Sequence, residues 1–336
     1  MSDRDSLLGR DLLSAADLSR DGVVEVLEVA EAFAEVSSRS VPKVPTLRGK
    51  LVATLFFEES TRTRLSFETA ARRLSADVAS LSVATSSVKK GESLKDTYRT
   101  IEALGADVLV VRHPSSGAPF QFTYWSDLDR ATRVINAGDG CHEHPSQALL
   151  DAYSVRAAIC AQRGVASEGS GASVFDGLRV LIVGDVRHSR VARSEIICYR
   201  ALGAAVTLCA PGSLLPRDAE DWGVEVADDF EAALKEADVV SLLRLQLERG
   251  SGSSVPSLSE FTATHGLTER RAALLQPGAV VTHPGPMARG VEIASSVADA
   301  ANALVTRQVA NGVAVRMAIL YLVLGGAPSL LGAASQ

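Results

Sequence analysis

The chain is short of cysteine, of basic residues in excess and of long apolar runs, and each shortage removes a class of function. Its four cysteines, at positions 141, 160, 198 and 209 of 336 residues, form no Cys-x-x-Cys pair and no regular framework. Free thiols in a reducing, cytoplasmic compartment are therefore expected in place of a disulfide scaffold. Lys plus Arg number 34 against 40 Asp plus Glu, a net charge of -6. The broad basic surface that nucleic acid or anionic lipid requires is missing, so any anion must be held in a local pocket. The opening Met1-Ser2-Asp3-Arg4-Asp5 has no apolar core of a signal peptide. An uncharged stretch from Met317 to Ala334 is interrupted by Gly325-Gly326-Ala327-Pro328. It falls well short of the roughly 20 residues a bilayer needs, and a buried terminal helix is expected there. Gly184-Asp185 follows a strand-like run, but the later glycines of the dinucleotide fingerprint are absent, which argues against a nicotinamide site. No internal repeat of short period is present.

What the chain has is an ordinary globular composition, 46% apolar and 22% charged, over a length that suits about two domains. Val23, Val24, Leu27, Ala30, Phe33 and Ala34 recur at helical spacing behind Ser19, an expected N-cap. Leu51 to Phe57 is a continuous apolar run of strand length, followed by a polar turn and a helical pattern from about Thr63 to Leu74. Strand-like runs at 78 to 83, 107 to 111 and 133 to 137 alternate with helical segments at about 93 to 104 and 118 to 126. The Gly- and Ser-rich segment from Gln162 to Asp176 reads as a flexible surface loop. Beyond it, 179 to 184, 205 to 208, 237 to 243 and 279 to 282 read as strands and 189 to 202 as a helix. Such alternation predicts parallel sheets with helices on their faces, in two α/β halves that meet near residues 140 to 150.

The most informative string is Phe56-Phe57-Glu58-Glu59-Ser60-Thr61-Arg62-Thr63-Arg64-Leu65-Ser66-Phe67-Glu68, which sets hydroxyls and arginines where a buried strand gives way to a helix. A helix N-terminus offers free N-H groups and a positive dipole end, so Ser60, Thr61, Arg62 and Thr63 there can cradle a phosphate. The string resembles the carbamoyl-phosphate signature of the aspartate and ornithine carbamoyltransferases. That resemblance continues through nearly the whole chain, in the family's order. Ser86 and Lys89-Lys90-Gly91-Glu92-Ser93-Leu94-Lys95-Asp96-Thr97 are similar to the family's mobile loop. They are followed by Arg112-His113-Pro114, by Asn136-Ala137-Gly138-Asp139-Gly140, and by His144-Pro145-Ser146-Gln147-Ala148-Leu149-Leu150-Asp151. Then come Gly184-Asp185-Val186-Arg187-His188-Ser189-Arg190, Arg244-Leu245-Gln246 and His283-Pro284-Gly285-Pro286. The acceptor-side motifs, including His283-Pro284-Gly285-Pro286-Met287 where ornithine enzymes carry His-Cys-Leu-Pro, resemble the aspartate branch.

The resemblance implies two doubly wound parallel-sheet α/β domains joined by interdomain helices. Residues 1-144, completed by a C-terminal helix over 306-336, would form a carbamoyl-phosphate domain, and 145-305 an aspartate domain. It implies carbamoyl transfer from carbamoyl phosphate to L-aspartate in pyrimidine synthesis, by a homotrimer that shares its sites between adjacent chains, with no cofactor and no metal. Ser60, Thr61, Arg62 and Thr63 would hold the phosphate, joined by Ser86 and Lys90 of the adjacent chain. Thr63, Arg112 and His144 would surround the carbamoyl oxygen. Gln147 and the backbone carbonyls of Gly285 and Pro286 would meet the carbamoyl amine, and Arg190, Arg244 and Gln246, with Lys90, the aspartate carboxylates. The same residues have blander readings: Lys89-Lys90 as a solvated charge run, Arg112 as a surface residue, Arg244 as a strand-end salt bridge. Cys141-His142-Glu143-His144 groups metal-ligand types without the spacing of a structural zinc site. Ala288, Ser146 and Glu59 depart from the commoner residues Asn, Thr and Pro or Ala. Two alternatives stay open, a carbamoyltransferase for another amino acid such as ornithine and a non-catalytic paralogue; so does the presence of regulatory or dihydroorotase chains.

Overall fold

The computed structural model describes residues 4-82, 91-126, 132-167, 169-247 and 257-326. It separates into two compact units, Met1–Leu149 with Ala310–Gln336, and Leu150–Val309. The chain passes from one to the other within two of its helices.

The first unit opens with α1 (Arg20–Ser38), capped by the Ser19 side chain on the Gly22 N-H. Then follow β1 (Leu51–Phe56), α2 (Thr61–Arg73), β2 (Asp77–Ser82), α3 (Leu94–Ala103), β3 (Val108–His113), α4 (Ala118–Trp125), β4 (Arg133–Asp139) and α5 (Pro145–Arg163), which runs on into the second unit. The four strands are parallel in the order β2-β1-β3-β4. Nearly every residue of β1, β3 and β4 is buried, as expected of a sheet covered on both faces by its crossover helices. A core of Leu55, Tyr98, Ile101, Leu109, Val111, Phe122 and Val134 covers one face.

In the second unit come β5 (Arg179–Val183), α6 (Arg190–Leu202), β6 (Ala205–Cys209), β7 (Glu225–Val226), α7 (Phe230–Glu236) and β8 (Val239–Leu242). They are followed by α8 (Leu258–His265), α9 (Glu269–Ala272), β9 (Val280–Thr282), α10 (Ser295–Ala298) and α11 (Val305–Val323), which leads back into the first unit. This sheet is also parallel, in the order β7-β6-β5-β8-β9. The expected fold class, two parallel-sheet α/β bodies, is what the chain adopts.

Two local expectations need correction. The segment read as a flexible surface loop starts inside α5 and ends in a 3-10 turn, Ser173–Phe175, whose Val174 and Phe175 are buried; its two apolar residues outweigh the Gly/Ser composition around them. Apolar periodicity assigned nothing between 210 and 236, where β7 and α7 stand, because a two-residue strand and a seven-residue helix are too short to display a period. No helix of the described residues is long and apolar enough to cross a membrane. The C-terminal helix, expected over 306-336, ends at Val323, because the chain turns at Leu324 and Gly325, the latter with φ of 84°; residues 327-336 lie outside the described residues. It is buried from Ala314 to Val323, with Tyr321 edge-on to Phe33 at 5.5 Å between ring centroids.

Candidate active site

In a doubly wound sheet, ligands collect beyond the carboxyl ends of the strands where the winding changes direction. In the first unit that point lies between β1 and β3, because β2 was added to one side of β1 and β3 to the other. β1 ends into Glu58-Glu59-Ser60 and α2, and β3 ends on Arg112-His113. Topology therefore delivers the signature string and Arg112 to one crevice. Ser60 occupies the N-cap of α2 without making a side-chain cap bond, and the first turn holds no acidic residue. α1, α3 and α6, in contrast, are closed by their serines. The N-H groups of α2 thus face outward beside exposed Thr61 and Arg62, while Thr63 is buried.

Around Thr63 the structure gathers the groups matched to the carbamoyl oxygen. Thr63 Oγ1 lies 3.4 Å from His144 Nε2. The Arg112 guanidinium pairs with Glu58, Nε to Oε2 at 3.3 Å, and its Nη1 donates to the Ala137 carbonyl at 3.4 Å. Burial, reinforced by the positive charges of Arg112 and then Arg316, pushes the His144 imidazole well below the usual histidine range. At neutral pH it is an uncharged ring among cations, able to offer one N-H without competing for an anion's counter-charge. Arg316 sits in the apolar terminal helix with its guanidinium 5.1 Å from the Phe67 ring centroid.

His144 and Gln147 begin α5, and the turn before them is held by acids. Asp139 accepts from the Gly117 N-H at 2.6 Å, Asn136 Nδ2 at 2.9 Å and the Glu143 N-H at 3.1 Å. Burial works to raise its pKa, but hydrogen bonds from His142, Asn136 and Gly117 outweigh it, and the carboxyl lies below the ordinary aspartate range. Glu143 accepts from Ser14 Oγ at 2.5 Å and the Ala15 N-H at 2.7 Å. His142 Nδ1 lies 3.1 Å from Asp139. His142 and Glu143 are thus committed to fixing this turn. Among the described residues, no group of three or more His, Cys, Asp or Glu is placed to hold a metal ion. Gly140 has φ of 47°, and a Cβ there would lie 2.7 Å from the Ser116 N and 2.3 Å from its Oγ, so only glycine fits.

The second unit repeats the topological logic with β5 and β8, which flank its change of direction. β5 runs into Gly184-Asp185 and on to Arg190, the first residue of α6; β8 runs into Arg244-Leu245-Gln246. Gly184 has φ of 123°, and a Cβ there would meet the Leu243 carbonyl at 2.5 Å. Asp185, fully buried, ties the two strand ends together: Oδ1 accepts from the His188 N-H at 3.2 Å and faces its Nδ1 at 2.9 Å, and Oδ2 accepts from the Gln246 N-H at 3.0 Å. Arg190 is 3% exposed and Arg244 half-buried. After β9, the Gly285-Pro286 peptide is cis. The Gly285 N-H donates to His283 Nδ1 at 2.8 Å, and the Ala288 N-H to Glu292 Oε1 at 2.5 Å. The departure from Asn at 288 leaves that backbone bond in place.

Within the first unit, then, Ser60, Thr61, Arg62, Thr63, Arg112, His144 and Gln147 collect at or near one strand-end crevice. Within the second, Arg190, Arg244 and Gln246 do the same, while Gly285 and Pro286 follow β9. Ser86 and Lys90 lie outside the described residues. Motif reading missed Glu58 as the partner of Arg112, Asp185 as the clamp on Gln246, and Arg316. A lone charge inside an apolar helix and a carboxylate directly after a strand-end glycine were the available signals.

Residues 10–157 match the family model described as Aspartate/ornithine carbamoyltransferase, carbamoyl-P binding domain. Residues 176–323 match its Asp/Orn binding domain. The chain is 54% identical over 322 residues to the aspartate carbamoyltransferase catalytic subunit of Kineococcus radiotolerans, covering 94% of this chain and 98% of that protein. It is 50% identical to that of Mycobacterium avium, covering 96% and 99%. The aspartate transcarbamoylase of Trypanosoma cruzi, solved with carbamoyl phosphate and aspartate, superposes with a TM-score of 0.81 at 30% identity, over 95% of this chain and 98% of that one. Carrying both family domains in order along its length, this chain belongs to the aspartate/ornithine carbamoyltransferase family.

Proposed function

We propose that this chain is a catalytic subunit that transfers the carbamoyl group of carbamoyl phosphate to the amine of L-aspartate, giving N-carbamoyl-L-aspartate and phosphate. The observation that carries the reading is the meeting of Thr63, Arg112 and an uncharged His144 beside the open N-terminus of α2. Such a group of donors suits a phosphate next to a carbonyl whose oxygen gains charge during reaction. Ser60, Thr61, Arg62 and Thr63 bind the phosphate, with Ser86 and Lys90 supplied by an adjacent chain. Gln147 and the carbonyls of Gly285 and Pro286 orient the carbamoyl amine. Arg190, Arg244 and Gln246 bind the two carboxylates of aspartate, with Lys90 as a further cation.

The uncharged amine of aspartate attacks the carbonyl carbon, and the carbonyl electrons move onto the oxygen near Thr63, Arg112 and His144. As the tetrahedral centre collapses, one proton of the attacking amine passes to the departing phosphate, the C-O bond to phosphate breaks and hydrogen phosphate leaves. Orientation and stabilisation of the developing oxyanion supply the acceleration, without a covalent intermediate on the protein. The first unit, Met1–Leu149 with Ala310–Gln336, constitutes the carbamoyl-phosphate domain and the second, Leu150–Val309, the aspartate domain. The working form is a cytoplasmic homotrimer serving pyrimidine synthesis.

The test supplies purified protein with carbamoyl phosphate and either L-aspartate or L-ornithine and follows both phosphate release and the carbamoylated product. N-carbamoyl-L-aspartate is expected. Turnover with ornithine alone, or with neither, overturns the reading, and native mass spectrometry showing a monomer under active conditions overturns the trimer.

A further inference from the structure

Behind the loop that carries Gly285 and Pro286, the second unit buries a continuous chain of polar side chains that the reaction itself does not use. It begins at Ser241 on β8, whose hydroxyl reaches both carboxyl oxygens of Glu195 on α6 at 2.9 Å. Glu195 in turn bonds Asp151 on α5. Gln308 on α11 donates from Nε2 to Asp151 Oδ1 at 2.6 Å and accepts, at Oε1, the His283 N-H at 3.0 Å. His283 Nδ1 then accepts the Gly285 N-H at 2.8 Å, so the ring proton is on Nε2, which faces Glu292 Oε1 at 3.1 Å. Ser241, Glu195 and Asp151 are fully buried, and Gln308, His283 and Glu292 nearly so.

The chain has a direction. A primary amide can face either way in a symmetric pocket, and a reversed Gln308 would turn its NH2 toward the His283 N-H, donor against donor. An acceptor at Asp151 prevents that. Asp151 is held as an acceptor because the acid beside it carries the proton: burial, then the charge of Asp151 and the bond to it, pushes the Glu195 carboxyl well above its ordinary range.

We propose that Gln308 is a positioning residue for the 283-288 loop, and that the Asp151–Glu195 acid pair fixes which face of its amide meets His283. The inference rests on the reading of Gly285 and Pro286 as carbamoyl-orienting carbonyls. Gln308 touches no reacting atom; it sets where the loop's backbone stands. Besides Asp151 and Glu195, the titratable groups along this chain and its neighbours are Cys198 and Tyr199 on α6, whose own pKa values burial raises, and His283 and Glu292 on the loop side.

The experiment compares wild type, Gln308→Leu, Gln308→Glu and Glu195→Gln by aspartate carbamoyl-transfer kinetics and by thermal unfolding. Gln308→Leu removes both contacts; kcat is expected to fall about tenfold or more, with the KM for aspartate within about twofold because Arg190 and Arg244 stand on other segments. Glu195→Gln still donates to Asp151 and is expected to keep wild-type kcat. Gln308→Glu can donate to Asp151 only while protonated, so its kcat should approach wild type in mild acid and fall as pH rises, a trend packing alone does not produce. Wild-type kcat in folded Gln308→Leu overturns the proposal, as does a pure rise in aspartate KM. Should Gln308→Leu not fold, a flat pH ratio of Gln308→Glu to wild type overturns it instead. Failure of wild type to carbamoylate aspartate would count against the proposed function, whereas these outcomes in an active wild type count against the positioning role alone.

Discussion

The two units solve one topological problem with opposite chemistry. Each is a parallel sheet whose winding reverses beside a central strand, and each sends its motif residues to that reversal. In the first unit the helix that follows, α2, is left without a side-chain cap, and a cationic Arg112 stands beside an uncharged His144. In the second, α6 is closed by Ser189, the strand ends are clamped by Asp185, and the residues proposed to meet aspartate, Arg190 and Arg244, carry guanidiniums. An open helix end with a neutral ring suits an anion whose charge shifts during reaction. Guanidiniums at a clamped strand-end crevice suit carboxylates that stay charged throughout. The difference teaches that the fold supplies the location, and the capping residue and local charges supply the task.

The sharpest way to break this contrast is to remove one cation from each side. Arg112→Ala deletes the proposed oxyanion donor and also removes the ion pair to Glu58. The variant should fold, yet lose about a hundredfold or more in kcat. Arg244→Ala should instead raise the KM for aspartate with a lower kcat, costing roughly 2 to 5 kcal/mol in kcat/KM. Carbamoyl phosphate binding, read by isothermal titration, should stay unchanged in Arg244→Ala. Near wild-type kcat in Arg112→Ala, or a loss of carbamoyl phosphate affinity in Arg244→Ala with normal aspartate kinetics, would mean that the two half-sites are wrongly assigned.

A smaller effect probes the clamped strand end. Gly184→Ala puts a Cβ 2.5 Å from the Leu243 carbonyl at a φ of 123°, where backbone rather than a flexible side chain would have to yield. A destabilisation of about 1 to 3 kcal/mol is expected, seen as a lower Tm. An unchanged Tm would show that β5 and β8 can separate at no cost.

Much of this was legible beforehand where physics acts locally. Strand runs such as Leu51-Val52-Ala53-Thr54-Leu55-Phe56 are apolar because both faces of a parallel sheet are buried, and Ser60-Thr61-Arg62-Thr63 announces a helix start by residue type alone. What could not be read was set by distance in sequence. Glu58 meets Arg112 across the sheet, and Asp151, Glu195 and Gln308 join from three helices. Nothing in a single segment marks a buried acid as paired. β7 and α7 were too short for a period, and the buried Phe175 was masked by its Gly/Ser surroundings.

The finest test of the contrast uses two buried acids. Asp139 in the first unit is met by N-H donors and lies below its ordinary pKa despite its burial. Glu195 in the second is raised well above its own by burial, by the Asp151 charge and by its bond to Asp151. For a lowered acid the unfolded chain takes up protons first, so the stability it provides is present above the unfolded pKa near 3.8 and is lost as pH falls through the folded value. For a raised acid the folded chain keeps a proton that the unfolded chain releases, so its stability is full below the unfolded value of about 4.5 and drains away as pH rises. Asp139→Asn should therefore approach wild-type Tm as the solution is acidified below the unfolded value near 3.8. Glu195→Gln should gain on wild type as pH rises above the unfolded value of about 4.5, at no more than about 1.4 kcal/mol per pH unit. Thermal unfolding of both variants beside wild type across that range reads the two slopes. If the Glu195→Gln and wild-type curves run parallel above pH 5, Glu195 is ionised in the folded protein and the two units do not differ in the way they hold their acids.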